Sequence, residues 1–158
     1  MKSKLIAALF FSHLITVTFG VALGIYLLPI LTAPPAPKPS AITRIAEQSS
    51  YTALISPTLK GSDLFHWGEG EFSLSPEAIT LSGKLSPGPD YKLYLSPQFV
   101  ESEAEFMLAK PTMLLVGEVK TFNNFITTST ETLDLESYNT VIVWCESFGE
   151  FITAAKYR

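Results

Sequence analysis

Hydrophobic and polar positions divide the chain into three stretches. From Leu5 to Leu31 there is no charged side chain, and that run exceeds the roughly 20 apolar residues a helix needs to cross a hydrocarbon layer. Thr32 to Ser40 reads TAPPAPKPS, which has no apolar face and favours extended polyproline II. After Pro57 the pattern changes to short runs broken by turn residues. Strands are predicted at Glu71–Leu74, Ala78–Leu85, Tyr91–Ser96, Met113–Val119, Phe122–Thr127, Thr140–Cys145 and Phe151–Tyr157. Within them Ile79, Leu81 and Leu85 share one face, and Tyr91, Leu93 and Leu95 alternate with Lys92, Tyr94 and Ser96. Ser86-Pro87-Gly88-Pro89-Asp90 is a strong turn cluster. Strands at intervals of roughly 8–12 residues with turns between them predict an all-β domain, an antiparallel sandwich or barrel.

The resulting organisation is a cytoplasmic tip and transmembrane anchor over 1–31, a proline-rich stalk and approach segment over 32–56, and a β domain over 57–158. In the approach segment Ile42, Ile45 and Ala46 fit a helical turn and Tyr51–Ile55 fits a first strand. Phe99–Lys110 fits a helical insertion or a long loop, with Phe106 and Leu108 as packing residues.

The anchor is expected to stay attached. A cleaved signal peptide has an apolar core of about 7–15 residues followed by a small-residue site. Here the run is longer, and its one candidate exit, at Thr32 and Ala33, leads into Pro34 and Pro35. Lys2 and Lys4 precede the helix and the next cation is Lys38. The positive-inside rule therefore puts the N-terminus in the cytoplasm of a cell (inner) membrane and the β domain in the periplasm or outside the cell. His13, Thr16, Gly20 and Gly24 lie on one face of the helix. Gly20 and Gly24 form a GxxxG that lets two backbones approach, and an intramembrane His13 calls for a polar partner. A helix–helix partner or a homodimer is expected to use this face.

Composition narrows the function. The chain of 158 residues has net charge −4 and 11 scattered basic residues, without the basic patch that nucleic acids require. No GxSxG, P-loop, HExxH or GxGxxG is present, so no hydrolase or transferase is indicated and an enzymatic role stays open. The single cysteine, Cys145, excludes an intrachain disulfide, a CxxC dithiol, a CxxCH haem attachment and a multi-cysteine zinc site.

Cys145 ends the strand TVIVWC, with Val141 and Val143 on its face and Ile142 and Trp144 on the other. A free cysteine is often a small buried hydrophobe, whereas outside the cytoplasm an exposed lone thiol oxidises readily. As a functional group it could ligate haem or a metal, pair with another chain, or pass through a sulfenic acid. Glu146 beside it is expected to raise the thiol pKa. His66 and Glu69, in FHWGEG, fit a shared ligand weakly, and a structural His fits better. Glu101, Glu103 and Glu105 would share a face on a strand, as a cation site or a solvated acidic edge. Met107 and Met113 are core residues or thioether ligands.

Taken in order, GSDLFHWGEGEF, GPDYKLYLSP (Gly88–Pro97), VGEVKTFNNF (Val116–Phe125) and YNTVIVWCESFGEFITAA (Tyr138–Ala155) resemble the DM13 family over Gly61–Arg158. The helix and stalk are similar to those of membrane-anchored bacterial members. The resemblance implies a sandwich or barrel and an electron-transfer role centred on Cys145 alone. Beside that, His66 is expected as a second ligand or proton partner, and a membrane redox or envelope protein as partner. The rival expectation is a non-catalytic envelope module that binds a protein or glycan and buries Cys145 in its core.

Overall fold

The computed structural model describes residues 2–56 and 58–158. Helix α1 runs over Lys2–Thr32, with Pro29 inside its last turn and no residue buried by the rest of the chain. It is long and apolar enough to cross a membrane. A second helix, α2 (Pro39–Ala46), starts with proline at its first position and buries Ile42. It lies against the sheet of β2, β3 and β6.

Eight strands follow: β1 (Tyr51–Leu54), β2 (Gly68–Leu74), β3 (Ala78–Leu85), β4 (Tyr91–Ser96), β5 (Leu114–Val119), β6 (Asn123–Thr128), β7 (Thr140–Cys145) and β8 (Glu150–Lys156). They form two antiparallel sheets, β1-β2-β3-β6 and β5-β4-β7-β8, which give the expected choice as a sandwich. The chain crosses between sheets at the β3–β4 and β5–β6 turns and in the β6–β7 connection. At the β5–β6 turn the edges of the two sheets approach, and the Thr127 hydroxyl donates to Glu118 O at 3.1 Å. The core between the sheets includes Phe72, Leu81, Leu93, Val143 and Phe125, all nearly or fully excluded from solvent, which is the main source of stability for such a fold.

The outer face of the second sheet is buried as well. Helix α3 (Glu103–Ala109) covers it. Phe106 stacks on Trp144 with ring centroids 3.9 Å apart, and Tyr94 meets Phe106 edge-on at 5.3 Å. This explains why Tyr94 and Ser96, expected on a polar face, are buried.

Several expectations need correction. Phe99–Lys110 takes the helical alternative, so Glu101, Glu103 and Glu105 stand at a helix start and do not share a strand face. Ser102 caps it by accepting from Glu105 N, and Glu105 accepts from Glu101 N at 2.9 Å. Lys60 pairs with Glu101 at 2.6 Å, and Glu103 accepts from Phe151 N. Of the two proposed packing residues Phe106 is buried, while Leu108 points outward at 83% exposure. Strand β2 begins at Gly68, before the predicted start at Glu71, and Gly70 is a positive-φ residue inside it. A Cβ there would lie 2.2 Å from Ser82 O, so the φ of +120° and the close backbone both require glycine. The sheet itself begins at Tyr51, inside the approach segment. Pro34, Pro35 and Pro37 of the stalk line a groove with residues of β5 and β6.

Candidate functional site

Strand register determines where Cys145 sits. It pairs with Tyr91 on one side and Glu150 on the other, at the end of the sandwich where the β3–β4, β5–β6 and β7–β8 turns meet. All six residues of β7 are buried. The Cys145 thiol donates to Pro89 O at 3.0 Å, and Gly149 N donates to Cys145 O at 2.9 Å.

Asp90 ties these turns together. It adopts a left-handed φ of 54°, which Asp tolerates better than most residues. Its carbonyl accepts from Glu146 N, its carboxylate accepts from Ser147 Oγ at 3.1 Å, and Lys92 Nζ lies 3.0 Å from it. Gly88 is forced by closeness: a Cβ there would come within 2.4 Å of Tyr91 Oη. That phenol donates to Ser86 O at 3.0 Å, and burial pushes its pKa up to about 12.

In front of the sulfur is a cavity of about 240 Å³, lined by Phe65, His66, Pro89, Phe148 and Ile152 among others. Ala22, Ile25 and Tyr26 of α1 stand at its side. Burial pushes the Cys145 thiol above its ordinary value of 9.0, and the negative charges of Asp90 and Glu150 act in the same direction; the N–H groups of Phe148 and Ser147 oppose them. The direction is the expected one, but the cause is not Glu146. That carboxylate is turned to the other face of the sheet, where it accepts from Lys110 Nζ at 2.7 Å and from the Tyr94 phenol. Burial alone would raise Glu146; the bonds from Lys110 and Tyr94 outweigh it and hold it below the usual range.

His66 lines the same cavity as Cys145, so the fold does bring these two candidates together. Its Nδ1 lies 3.0 Å from Asp63 Oδ2, and Asp63 Oδ1 accepts from the backbone N–H groups of Phe65 and His66. Asp63 was missed by the sequence reading, although an Asp two and three residues before two N–H groups is an ordinary turn signal. Glu69 faces Lys84 at 3.7 Å instead. Met107 is exposed on α3 and Met113 packs against the core. His13 bonds Leu9 O within its own helix at 2.7 Å, and among the described residues nothing beyond the helix's own backbone and the adjacent residues lies within 4 Å of a Cβ at Gly20 or Gly24.

The donor set does not fit a metal centre: among the described residues no group of three His, Cys, Asp or Glu side chains is placed to hold an ion. The cavity is also smaller than the roughly 300–1,000 Å³ usual for organic ligands, too small for a haem in this conformation.

Residues 59–157 match the family model DM13, described as electron transfer DM13. The chain belongs to the DM13 family. The match covers the whole sandwich except β1. No curated protein and no solved structure matches the chain significantly. The DM13 description supports an electron-transfer role for the domain at a coarse level.

Proposed function

We infer that this DM13 domain works outside the cytoplasm, tethered by α1, and passes electrons at Cys145. The observation that carries the reading is the position of the sulfur. It is the one thiol of the chain, it sits at the edge of the core, and it faces a cavity shared with His66. The thiolate is the reactive form of a cysteine. The Ser147 and Phe148 N–H groups favour it, and His66, steadied by Asp63, is the candidate proton acceptor. Phe65 and Phe148 limit access to the sulfur, so the reaction is selective for a partner that displaces them. The GxxxG face of α1 is proposed to hold a second membrane helix, in a homodimer or a membrane redox partner.

A second reading has its own support. Cys145 is only 3% exposed and its pKa is raised, as in an inert core residue. The domain would then be an interaction module for an envelope protein or glycan. The reaction of the folded full chain with a small thiol reagent separates the two. A redox-active Cys145 is modified in the fold, more slowly than an open thiol, and Cys145→Ala abolishes the chain's acceleration of electron transfer from an added one-electron reductant to an added acceptor, the thiolate giving its electron to the acceptor and the resulting thiyl radical regaining one from the reductant. A sulfur modified only on unfolding, with acceptor reduction unchanged in Cys145→Ala, leaves the interaction module.

A further inference from the structure

The end of the sandwich that holds Cys145 also carries uncovered apolar side chains. Leu64 and Phe65, in the loop before β2, are 82% and 64% exposed, and Phe148, in the β7–β8 turn, is 54% exposed. Phe65 and Phe148 line one cavity, so these two side chains form a patch, and Leu64 adjoins Phe65 in the same loop. The opposite end, with the β2–β3 turn and the loop around Glu131, offers no comparable cluster: its Leu133 and Leu135 are buried.

The polypeptide leaves its anchor at this same end. Thr32, Ala33 and Pro34 border a cavity with Gly88, Pro89 and Asp90. The depth of the patch follows from the helix. At about 1.5 Å per residue, a hydrocarbon layer of about 30 Å entered at Leu5 is left near Gly24. Tyr26 then stands in the outer interfacial region, where tyrosine is favoured. Tyr26 and Ile25 line the cavity that contains Phe65 and Phe148, so the exposed tips are level with the outer headgroups.

We propose that Leu64, Phe65 and Phe148 insert into the outer interface of the bilayer that α1 spans, so that the Cys145 cavity opens at the membrane surface. Charge permits this on a neutral surface. Lys92 bridges Asp90 and Glu118, and Lys120 also meets Glu118; Glu150 and Asp63, the latter hydrogen-bonded to His66, remain near the cavity. The electron partner must then be embedded in the membrane or carried at its interface. A freely diffusing aqueous protein would find the cavity covered. The proposal rests on the tethered reading above.

The test uses the full chain carrying Cys145→Ala in phosphatidylcholine nanodiscs. A nitroxide is attached in turn through Leu64→Cys, Phe148→Cys, Glu131→Cys and Leu14→Cys, and its collision rates with oxygen and with a water-soluble nickel chelate are compared. The expected oxygen-to-nickel ratio at positions 64 and 148 is several-fold above that at 131 and approaches that at 14. A double variant, Phe65→Glu with Phe148→Glu, should return the position-64 label to the value at 131 with the circular dichroism unchanged. If 64 and 148 match 131 while 14 stays high, docking is refuted and the anchor stands. If 14 also matches 131, the anchor reading fails and docking fails with it.

Discussion

Strand β7 and helix α1 are both built almost entirely from apolar residues, yet the chain treats them in opposite ways. Every residue of β7 is buried, on one side by the facing sheet and on the other by α3. No residue of α1 is buried, and Leu5, Phe11, Phe19 and Leu31 are each at least 60% exposed. Burial of apolar surface drives both arrangements. For β7 the partner surface is in the same polypeptide; for α1 it must come from elsewhere, and a continuous apolar cylinder of this length matches hydrocarbon. A high hydrophobic content therefore says little until each run has been assigned its partner.

The largest effect is expected where the chain supplies its own partner. Trp144 is 1% exposed and stacked on Phe106. Trp144→Ala removes the stack and leaves a cavity under α3, at a cost of about 3–5 kcal/mol. Urea unfolding of the detergent-solubilised chain measures it. A loss below about 1 kcal/mol would mean that α3 does not pack on this sheet. By contrast, Phe19→Ala should leave the unfolding of the β domain unchanged, since Phe19 is 67% exposed on α1.

The anchor is sharpened by a charge. Val17 lies in the middle of the apolar run of α1 and is 62% exposed. On insertion scales Lys at the centre of a membrane helix costs about 2.5–3.5 kcal/mol. Val17→Lys should therefore raise the fraction of chain extracted from membranes by alkaline carbonate, with the sandwich still folded. Unaltered retention would show that α1 is not a spanning helix.

Much of the sandwich was legible from sequence because alternation and punctuation agreed. The limits of β3, β4 and β7 fall at Ala78–Leu85, Tyr91–Ser96 and Thr140–Cys145, as read, since each run is bounded by turn residues or a polar segment. Where the two signals conflicted the reading was incomplete. The predicted strand starts at Glu71, whereas Gly68 and Gly70 already lie within β2. The alternating glutamates at 101, 103 and 105 fit a strand face, but Ser102 with Glu105 three residues later is a helix-start signal, and the helical alternative for Phe99–Lys110 is the one found. The burial of Tyr94 could not be read from its own strand, because it depends on α3 packing across the sheet. The site shows the same limit. Cys145 and His66 were visible as isolated candidates, but their common cavity is assembled from turns far apart in sequence. Only the strand register brings Pro89, Phe148 and His66 to one place.

The smallest expected effect probes Cys145 itself. Its sulfur is packed like a small hydrophobe at 3% exposure, and truncation to Ala removes about one methylene-equivalent of buried volume, worth about 0.8 kcal/mol. Near neutral pH the native chain should be more stable than Cys145→Ala by about that amount. The thiol adds a pH dependence whose sign follows from its raised pKa. The folded state holds the proton more tightly than the unfolded chain, whose thiol titrates at its ordinary 9.0. This contribution is fully present below 9.0 and is lost as pH rises from there through the folded value. The advantage over Cys145→Ala should therefore shrink, or reverse, in alkaline solution, as measured by paired urea unfolding curves at neutral and alkaline pH. A gap that widens with pH would mean that the Ser147 and Phe148 N–H groups outweigh burial and the Asp90 and Glu150 charges. The fold would then already favour the thiolate, and the interaction-module reading would lose its main support.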